Sequence, residues 1–186
     1  DLARSRGLGD VYKRQRAADI ADVLDAGFPI DRDKQARGLV VERLGEVIDA
    51  IVNQAGEIET EAARFRADMA LRDYAARAIL VPMPVFAEQA SSLQYDVDAL
   101  SAAFRVDVET ICLRLTALPP SDLRPRFGYY QANAAGALTT VRNLEGLTAP
   151  RHASACPLWV LFRAQQSPEG VLRQRALFPS GARFVF

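Results

Sequence analysis

Residues 95–118 read YDVDALSAAFRVDVETICLRLTAL, and their spacing predicts two short helices joined by a two-residue turn. Asp96 and Asp107 each stand just before an apolar periodic run, where a side-chain oxygen caps a helix. The separation of the two helices is that of a helix-turn-helix. Apolar side chains recur at helical intervals and predict the core positions Val97, Leu100, Phe104, Val108, Ile111 and Leu115. We expect a packing element or an interaction surface. A DNA reader would instead turn Arg114 toward a groove, but the balanced charge of the chain and the acidic residues of this stretch argue against that role.

The chain before this stretch also reads as helical. Residues 17–26 predict a short helix, and residues 33–53 predict another that Asp31 or Asp33 could cap. In the second of these, apolar residues at helical spacing predict one buried stripe. Its members are Leu39, Val40, Leu44, Val47, Ile48, Ile51 and Val52.

Residues 58–80 predict the longest helix of the chain. Its apolar positions are Ala62, Phe65, Met69, Tyr74 and Ile79. Prolines at positions 82 and 84 end it, because proline lacks the backbone donor and clashes inside a helix. Residues 85–93 predict one more short helix.

The pattern after Pro125 changes to that of strands. The predicted strands are residues 127–133, 138–144, 157–162, 171–178 and 182–186. The first two flank a Gly-containing turn and predict a hairpin. The predicted fold class is therefore α+β, with a helical part over residues 16–118 and a small antiparallel β-sheet over residues 119–186.

Composition narrows the function classes. Lys plus Arg and Asp plus Glu both number 23, so the basic excess of a bare nucleic-acid binder is absent. Cys112 and Cys156 lie far apart and form no disulfide framework, which suits a reducing cytoplasm. No apolar run approaches the ~20 residues of a membrane span, and no signal peptide is visible.

Both ends of the chain look unusual. Residues 1–15 read DLARSRGLGDVYKRQ and resemble translated sequencing-adapter read-through, so we expect a non-native lead-in. Residues 182–186 read as a strand without a closing turn. We expect a truncated reading frame.

Catalytic patterns are weak. The one histidine, His152, has Ser154 and Cys156 nearby, but two such residues on one loop rarely align and no third group orients the imidazole. One His and two distant Cys residues do not make an ordinary zinc site. We therefore expect no enzyme activity, no catalytic residue and no metal site.

Two short segments of the sequence resemble a known family. They are residues 95–118 and Ala155-Cys156-Pro157-Leu158-Trp159. Together they resemble the C-terminal module of the bacterial short-chain fatty-acyl transcriptional regulators, which include propionate-responsive, acyl-CoA-sensing members. Residues 155–159 are similar to the family's GGxCPLW signature, although Ala153 and Ser154 replace its two glycines. After Trp159 the family usually has Asn-Val-His, and this chain has Val-Leu-Phe.

The resemblance implies an acyl-CoA site in the β part. The expected ligand-binding residues are Tyr129, Tyr130, Arg142, Arg151, Cys156 and Trp159. An aromatic face can stack a base or hold an acyl chain, and arginine contacts phosphates. Trp159 and Cys156 could equally be core residues, and the arginines solvated charges.

The helical part has a second resemblance. Residues 72–82, RDYAARAILVP, look similar to a helix-ending segment of ImmA/IrrE metallopeptidase-like proteins. Those proteins carry an HExxH zinc site on the preceding helix, where this chain has Glu42 and Glu46 but no histidine. We expect a scaffold whose zinc site is lost.

The resemblances together imply the ligand-sensing part of a cytoplasmic, XRE-type helix-turn-helix regulator of fatty-acid or propionate genes. A short-chain acyl-CoA is the expected effector, and DNA is expected to bind only through a missing N-terminal domain. Some family members hold an iron–sulfur cluster through cysteines beyond this stretch, so we expect no cluster and no other cofactor here. Homo-oligomerisation is left open. The alternative is a non-catalytic protein-interaction module of the ImmA/IrrE lineage.

Overall fold

The computed structural model describes residues 32–56, 58–121, 125–142, 144–147, 159–166, 172–178 and 180–186. The chain divides into two compact units, Asp1–Arg114 and Leu115–Phe186. The predicted lead-in, the helix over residues 17–26 and a cap from Asp31 lie outside the described residues.

The first unit is helical. Its α-helices are α1 (Arg32–Leu39), α2 (Gly45–Gln54), α3 (Glu61–Leu80), α4 (Met83–Ser92), α5 (Val97–Phe104) and α6 (Val108–Thr116), the last running across the boundary between the units. Helices α1 and α2 are continuous through a π-helical segment, Val40–Leu44, so the single helix predicted for residues 33–53 contains a wide turn. Helix α3 starts after Thr60, whose hydroxyl accepts from the Ala63 N–H at 3.2 Å. It ends at Leu80 before the prolines, as predicted.

The caps of α5 and α6 are confirmed. The Asp96 carboxylate accepts from the N–H groups of Asp98 at 3.0 Å and Ala99 at 2.9 Å. The Asp107 carboxylate accepts from the Thr110 N–H at 2.6 Å. These bonds satisfy donors that a helix start leaves open.

The core of the first unit is built from side chains of all the helices described for that unit and from the residue that follows α3. It contains Ala36, Val40, Ile48, Val52, Ala76, Leu80, Val81, Phe86, Ala90, Leu100 and Ile111. The rings of Phe86 and Phe104 meet edge to face with centroids 5.7 Å apart.

The predicted apolar stripes are only partly buried. Val47, Ile51 and Val108 were expected in the core, but they are 48%, 51% and 42% exposed. On α3 the apolar Phe65, Met69 and Tyr74 are also exposed. The reason is geometric: a helix buries only the faces that neighbours cover, and apolar residues on other faces keep the same 3.6-residue period.

Arg114 is a buried charge of this unit. It is 2% exposed, its Nε donates to the Val81 carbonyl at 3.1 Å, and its guanidinium lies 5.5 Å from the Tyr74 ring centroid. The DNA-reading alternative needed this side chain to face a groove, so the structure contradicts it.

The second unit contains two separate two-stranded antiparallel sheets in the described residues, where the sequence predicted one. Strands β1 (Tyr129–Ala132) and β2 (Leu138–Arg142) form the predicted hairpin, with Tyr129 opposite Arg142. Strands β3 (Arg175–Leu177) and β4 (Arg183–Val185) form the second. Gly136 and Gly181 turn the two hairpins at φ values of 78° and 82°, which glycine adopts without strain.

Helix α7 (Val160–Gln165) corrects the strand predicted over residues 157–162, of which 157 and 158 lie outside the described residues. This helix makes two tertiary contacts within the second unit. The Val160 N–H donates to Gln174 Oε1 at 2.7 Å, which caps the helix start. The Phe162 ring lies so close to Gly136 that a Cβ there would be 2.5 Å from Cε1.

Among the described residues, no helix combines the length and the apolar character needed to cross a membrane.

Candidate ligand-binding cavity

The second unit contains a cavity of about 410 Å³. The segment before β1, the strand itself, the turn over residues 144–147, helix α7 and the end of β4 contribute its walls. The lining residues are Arg126, Phe127, Gly128, Tyr129, Tyr130, Leu144, Leu147, Trp159, Val160, Leu161, Ala164, Phe184, Val185 and Phe186. Its size and mostly apolar lining are those of a small-molecule site.

Trp159 lies at the centre of an aromatic cluster on this wall. Its ring meets Tyr130 edge to face at 5.9 Å and stacks on Phe186 at 5.5 Å between centroids. Phe184 extends the cluster, 6.5 Å from Phe186. Rings packed in this way form a stiff apolar surface.

Tyr130 connects the cavity wall to the neighbouring turn. Its hydroxyl donates to the Leu147 carbonyl at 2.8 Å, and Leu147 is itself buried. Burial raises the pKa of Tyr130 above its usual value, so the phenol keeps its proton further into the alkaline range. The residue therefore offers the cavity its ring, while its hydroxyl holds the turn.

Arg126 is the one charged side chain among the described residues that line this cavity. It forms an ion pair with Glu145, and the two side chains are 55% and 78% exposed. A second, smaller cavity of about 150 Å³ also touches Arg126, Phe127 and Leu144.

The predicted site residues fall into three groups. Tyr129, Tyr130 and Trp159 line the cavity. Arg142 is exposed on β2, where its Nη1 approaches the Val141 carbonyl at 3.5 Å, and it is not among the lining residues. Arg151 and Cys156 lie outside the described residues.

Sequence reasoning missed Arg126, helix α7 and the two aromatic residues at the end of the chain, Phe184 and Phe186. One signal was available: Phe184 and Phe186 are two apart and therefore share one face of a strand. Arg126 had no such signal, because its position beside the cavity depends on how the turns of the unit pack.

The described residues contain no group of three or more His, Cys, Asp or Glu side chains that could hold a metal ion. Burial, together with the negative charges of Glu109 and Asp107, raises the pKa of the Cys112 thiol. Cys112 is therefore a protonated, weakly nucleophilic thiol at neutral pH.

Comparison with known proteins places these observations in a family. Residues 126–186 match the model for the short-chain fatty acyl coenzyme A regulator, C-terminal. The chain is similar to the HTH-type transcriptional regulator PrpR of Mycobacterium tuberculosis, with 34% identity over 76% of this chain and 29% of that protein. It is also similar to the HTH-type transcriptional regulator RamB of the same species, with 30% identity over 82% of this chain and 32% of that protein.

A third relative is the propionyl-CoA carboxylase regulator of Cereibacter sphaeroides, 28% identical over 86% of this chain and 35% of that protein. A solved structure of a Mycobacterium tuberculosis transcriptional regulator matches 83% of this chain and 47% of that one, with 31% identity and a TM-score of 0.69. The chain spans about a third of the length of the named regulators. Over residues 126–186, which include the whole described lining of the cavity, the chain carries the C-terminal domain of the short-chain fatty acyl coenzyme A regulator family.

Proposed function

We propose that this chain is the ligand-sensing part of an XRE-type helix-turn-helix transcriptional regulator and that its cavity binds a short-chain acyl-CoA. The observation that carries the proposal is an aromatic cavity lying wholly within the residues that match the family. We assign DNA binding to a part of the longer protein outside this chain. The genes that the regulator controls are assigned to fatty-acid or propionate metabolism.

The chemistry of the cavity suits an acyl chain. Each methylene moved from water into an apolar site stabilises the complex by about 0.8 kcal/mol, or about fourfold in affinity. A thioester is neutral, so it needs no buried counter-charge in a cavity whose described charged residue is at an exposed position. A ligand that prefers one conformation of the sensor would shift its population and so bias DNA binding.

The chain has a built-in reporter for the test. Its single tryptophan, Trp159, lies on the cavity wall. Titration of the full chain with acetyl-, propionyl-, butyryl- and hexanoyl-CoA should change the fluorescence of this residue. We expect the affinity to rise about fourfold per methylene until the cavity is full. An unchanged signal, or the same affinity for CoA without an acyl group, would contradict acyl sensing.

A cavity-filling variant separates specific from non-specific binding. Ala164 lines the cavity on α7, so Ala164→Phe should abolish the acyl-dependent signal. Ala102 is exposed on α5 in the first unit, so Ala102→Phe is the matched control and should bind like the wild type.

A second candidate function is a non-catalytic protein-interaction module of the ImmA/IrrE metallopeptidase lineage. The observation that favours it is the exposure of Phe65 and Met69, 67% and 48%, on successive turns of α3. Capture of a protein partner that Phe65→Asp abolishes and that acyl-CoA leaves unchanged would support this role.

A further inference from the structure

Two adjoining cavities share a partition in the second unit. Arg126, Phe127 and Leu144 line both the cavity of about 410 Å³ and the cavity of about 150 Å³. The walls differ in character. The lining of the larger cavity is mostly apolar and aromatic, whereas the lining of the smaller cavity includes Thr116, Ser121, Glu145 and three prolines.

Of the three residues that line both cavities, Arg126 is the one whose side chain can donate hydrogen bonds. A guanidinium presents several N–H groups in a rigid fork, which suits carbonyl and carboxylate oxygens. Its partner Glu145 is 78% exposed, and an ion pair between exposed side chains contributes only about 0–1 kcal/mol. Arg126 can therefore exchange Glu145 for a ligand oxygen at little cost.

We propose that Arg126 donates a hydrogen bond to the carbonyl oxygen of the acyl thioester. In the unliganded protein Glu145 takes the place of that oxygen as the partner of Arg126. The acyl chain would lie in the larger cavity, the thioester carbonyl beside Arg126, and the amide-bearing arm that follows the sulfur in the smaller cavity. The inference rests on the proposed function, since it assigns parts of the same ligand to two cavities. Arg126 thereby becomes a specificity-determining residue that distinguishes acyl thioesters from alkyl thioethers of the same length.

The test compares two ligands that differ only at the carbonyl, hexanoyl-CoA and S-hexyl-CoA, by Trp159 fluorescence of the full chain. A hydrogen bond from a charged donor is expected to favour the thioester about tenfold or more in the wild type. Arg126→Met should weaken hexanoyl-CoA by that factor and remove the discrimination. Arg126→Lys keeps the charge without the fork and should recover only part of it.

Glu145→Gln gives the opposite expectation. Release of Arg126 from its ion pair should tighten hexanoyl-CoA about two- to fivefold. Glu42 forms a comparable exposed ion pair with Arg43 in the first unit, so Glu42→Gln is the matched control and should leave the affinity unchanged.

Two further ligands test the smaller cavity. Hexanoyl-pantetheine carries the arm, whereas hexanoate has only the chain and a carboxylate head. Tighter binding of hexanoyl-pantetheine supports the assignment of the arm, and equal or tighter binding of hexanoate overturns it.

The outcomes separate the two proposals. If the wild type binds none of these acyl ligands, the proposed function fails and this inference with it. If the wild type binds hexanoyl-CoA and the Arg126 and Glu145 variants bind it equally well, only the inference on Arg126 is overturned.

Discussion

At the scale of single residues, Arg114 places a cation at the end of α3. Its Nε bonds the Val81 carbonyl just past the last turn, where the helix dipole is negative, while Nη1 has no partner in the described part of the chain. We expect Arg114→Ala to lower the free energy of unfolding by about 2–4 kcal/mol, from a lost hydrogen bond and a new cavity. Arg114→Met keeps the apolar stem and removes a poorly paired buried charge, so it should cost less.

Urea unfolding monitored by circular dichroism would measure both variants. Equal stability of Arg114→Ala and the wild type would show that the Val81 bond contributes nothing. A loss in Arg114→Met as large as that in Arg114→Ala would show that the guanidinium and its bond to Val81, not the packing of the stem, stabilise the unit.

Tyr130 gives a prediction on pH. Burial raises its pKa in the folded state, so the stability that this phenol contributes is fully present below its unfolded pKa of about 10 and is lost as the pH rises through the folded value. Tyr130→Phe should lose about 1 kcal/mol at neutral pH, the value of its bond to Leu147. Above pH 10 it should lose less further stability than the wild type. Parallel pH profiles of the two proteins, measured by chemical denaturation, would contradict this role.

The role of a residue could be predicted from the sequence when its partners are close to it along the chain. The caps Asp96 and Asp107 were predictable because their partners are two or three residues away. Trp159 and Tyr130 were singled out as aromatic residues, but no local pattern shows that one ring meets the other. Arg126 was missed for the same reason, since the residues around it come from distant turns.

At the scale of elements, α7 depends on its contact with the β1–β2 hairpin. Gly136 has a φ of 78°, and an added Cβ would lie 2.5 Å from Phe162 Cε1. Gly136→Ala should therefore cost about 2–3 kcal/mol, from left-handed backbone strain and from overlap with the ring. Phe162→Ala in the same chain should remove the overlap and leave only the strain. A double-mutant cycle in urea measures this coupling, and strictly additive losses would show that the ring yields freely.

Helices and strands were predicted correctly where the length of the apolar pattern agreed with the positions of proline and glycine at its ends. The prolines after α3 and the Gly-containing turn of the β1–β2 hairpin predicted both features correctly. Helix α7 was wrongly predicted as a strand, because a run of Val, Leu and Phe has β propensity, whereas its contacts with Gln174 and Gly136 come from distant parts of the chain. The exposure of Val47 and Ile51 was missed because periodicity does not tell which face a neighbour covers.

At the scale of the whole molecule, the order of helices before hairpins made the α+β class predictable. The division of the β part into two sheets was not, because sheet pairing depends on contacts between distant residues. The two units also have separate spectroscopic signals. Trp159 reports on Leu115–Phe186, whereas most of the described helical residues lie in Asp1–Arg114.

These signals allow the ligand's effect to be located by thermal unfolding. A ligand at 100 times its Kd stabilises the state that binds it by about 2.7 kcal/mol. For a unit as small as Leu115–Phe186 this corresponds to a rise in Tm of roughly 10–20 °C.

With saturating propionyl-CoA we expect that rise in the unfolding midpoint followed by Trp159 fluorescence. The midpoint followed by helical circular dichroism should rise less, because the cavity lies in the second unit. A shift confined to the helical signal would move the ligand site into the first unit, and an unchanged pair of midpoints would favour the protein-interaction role of α3.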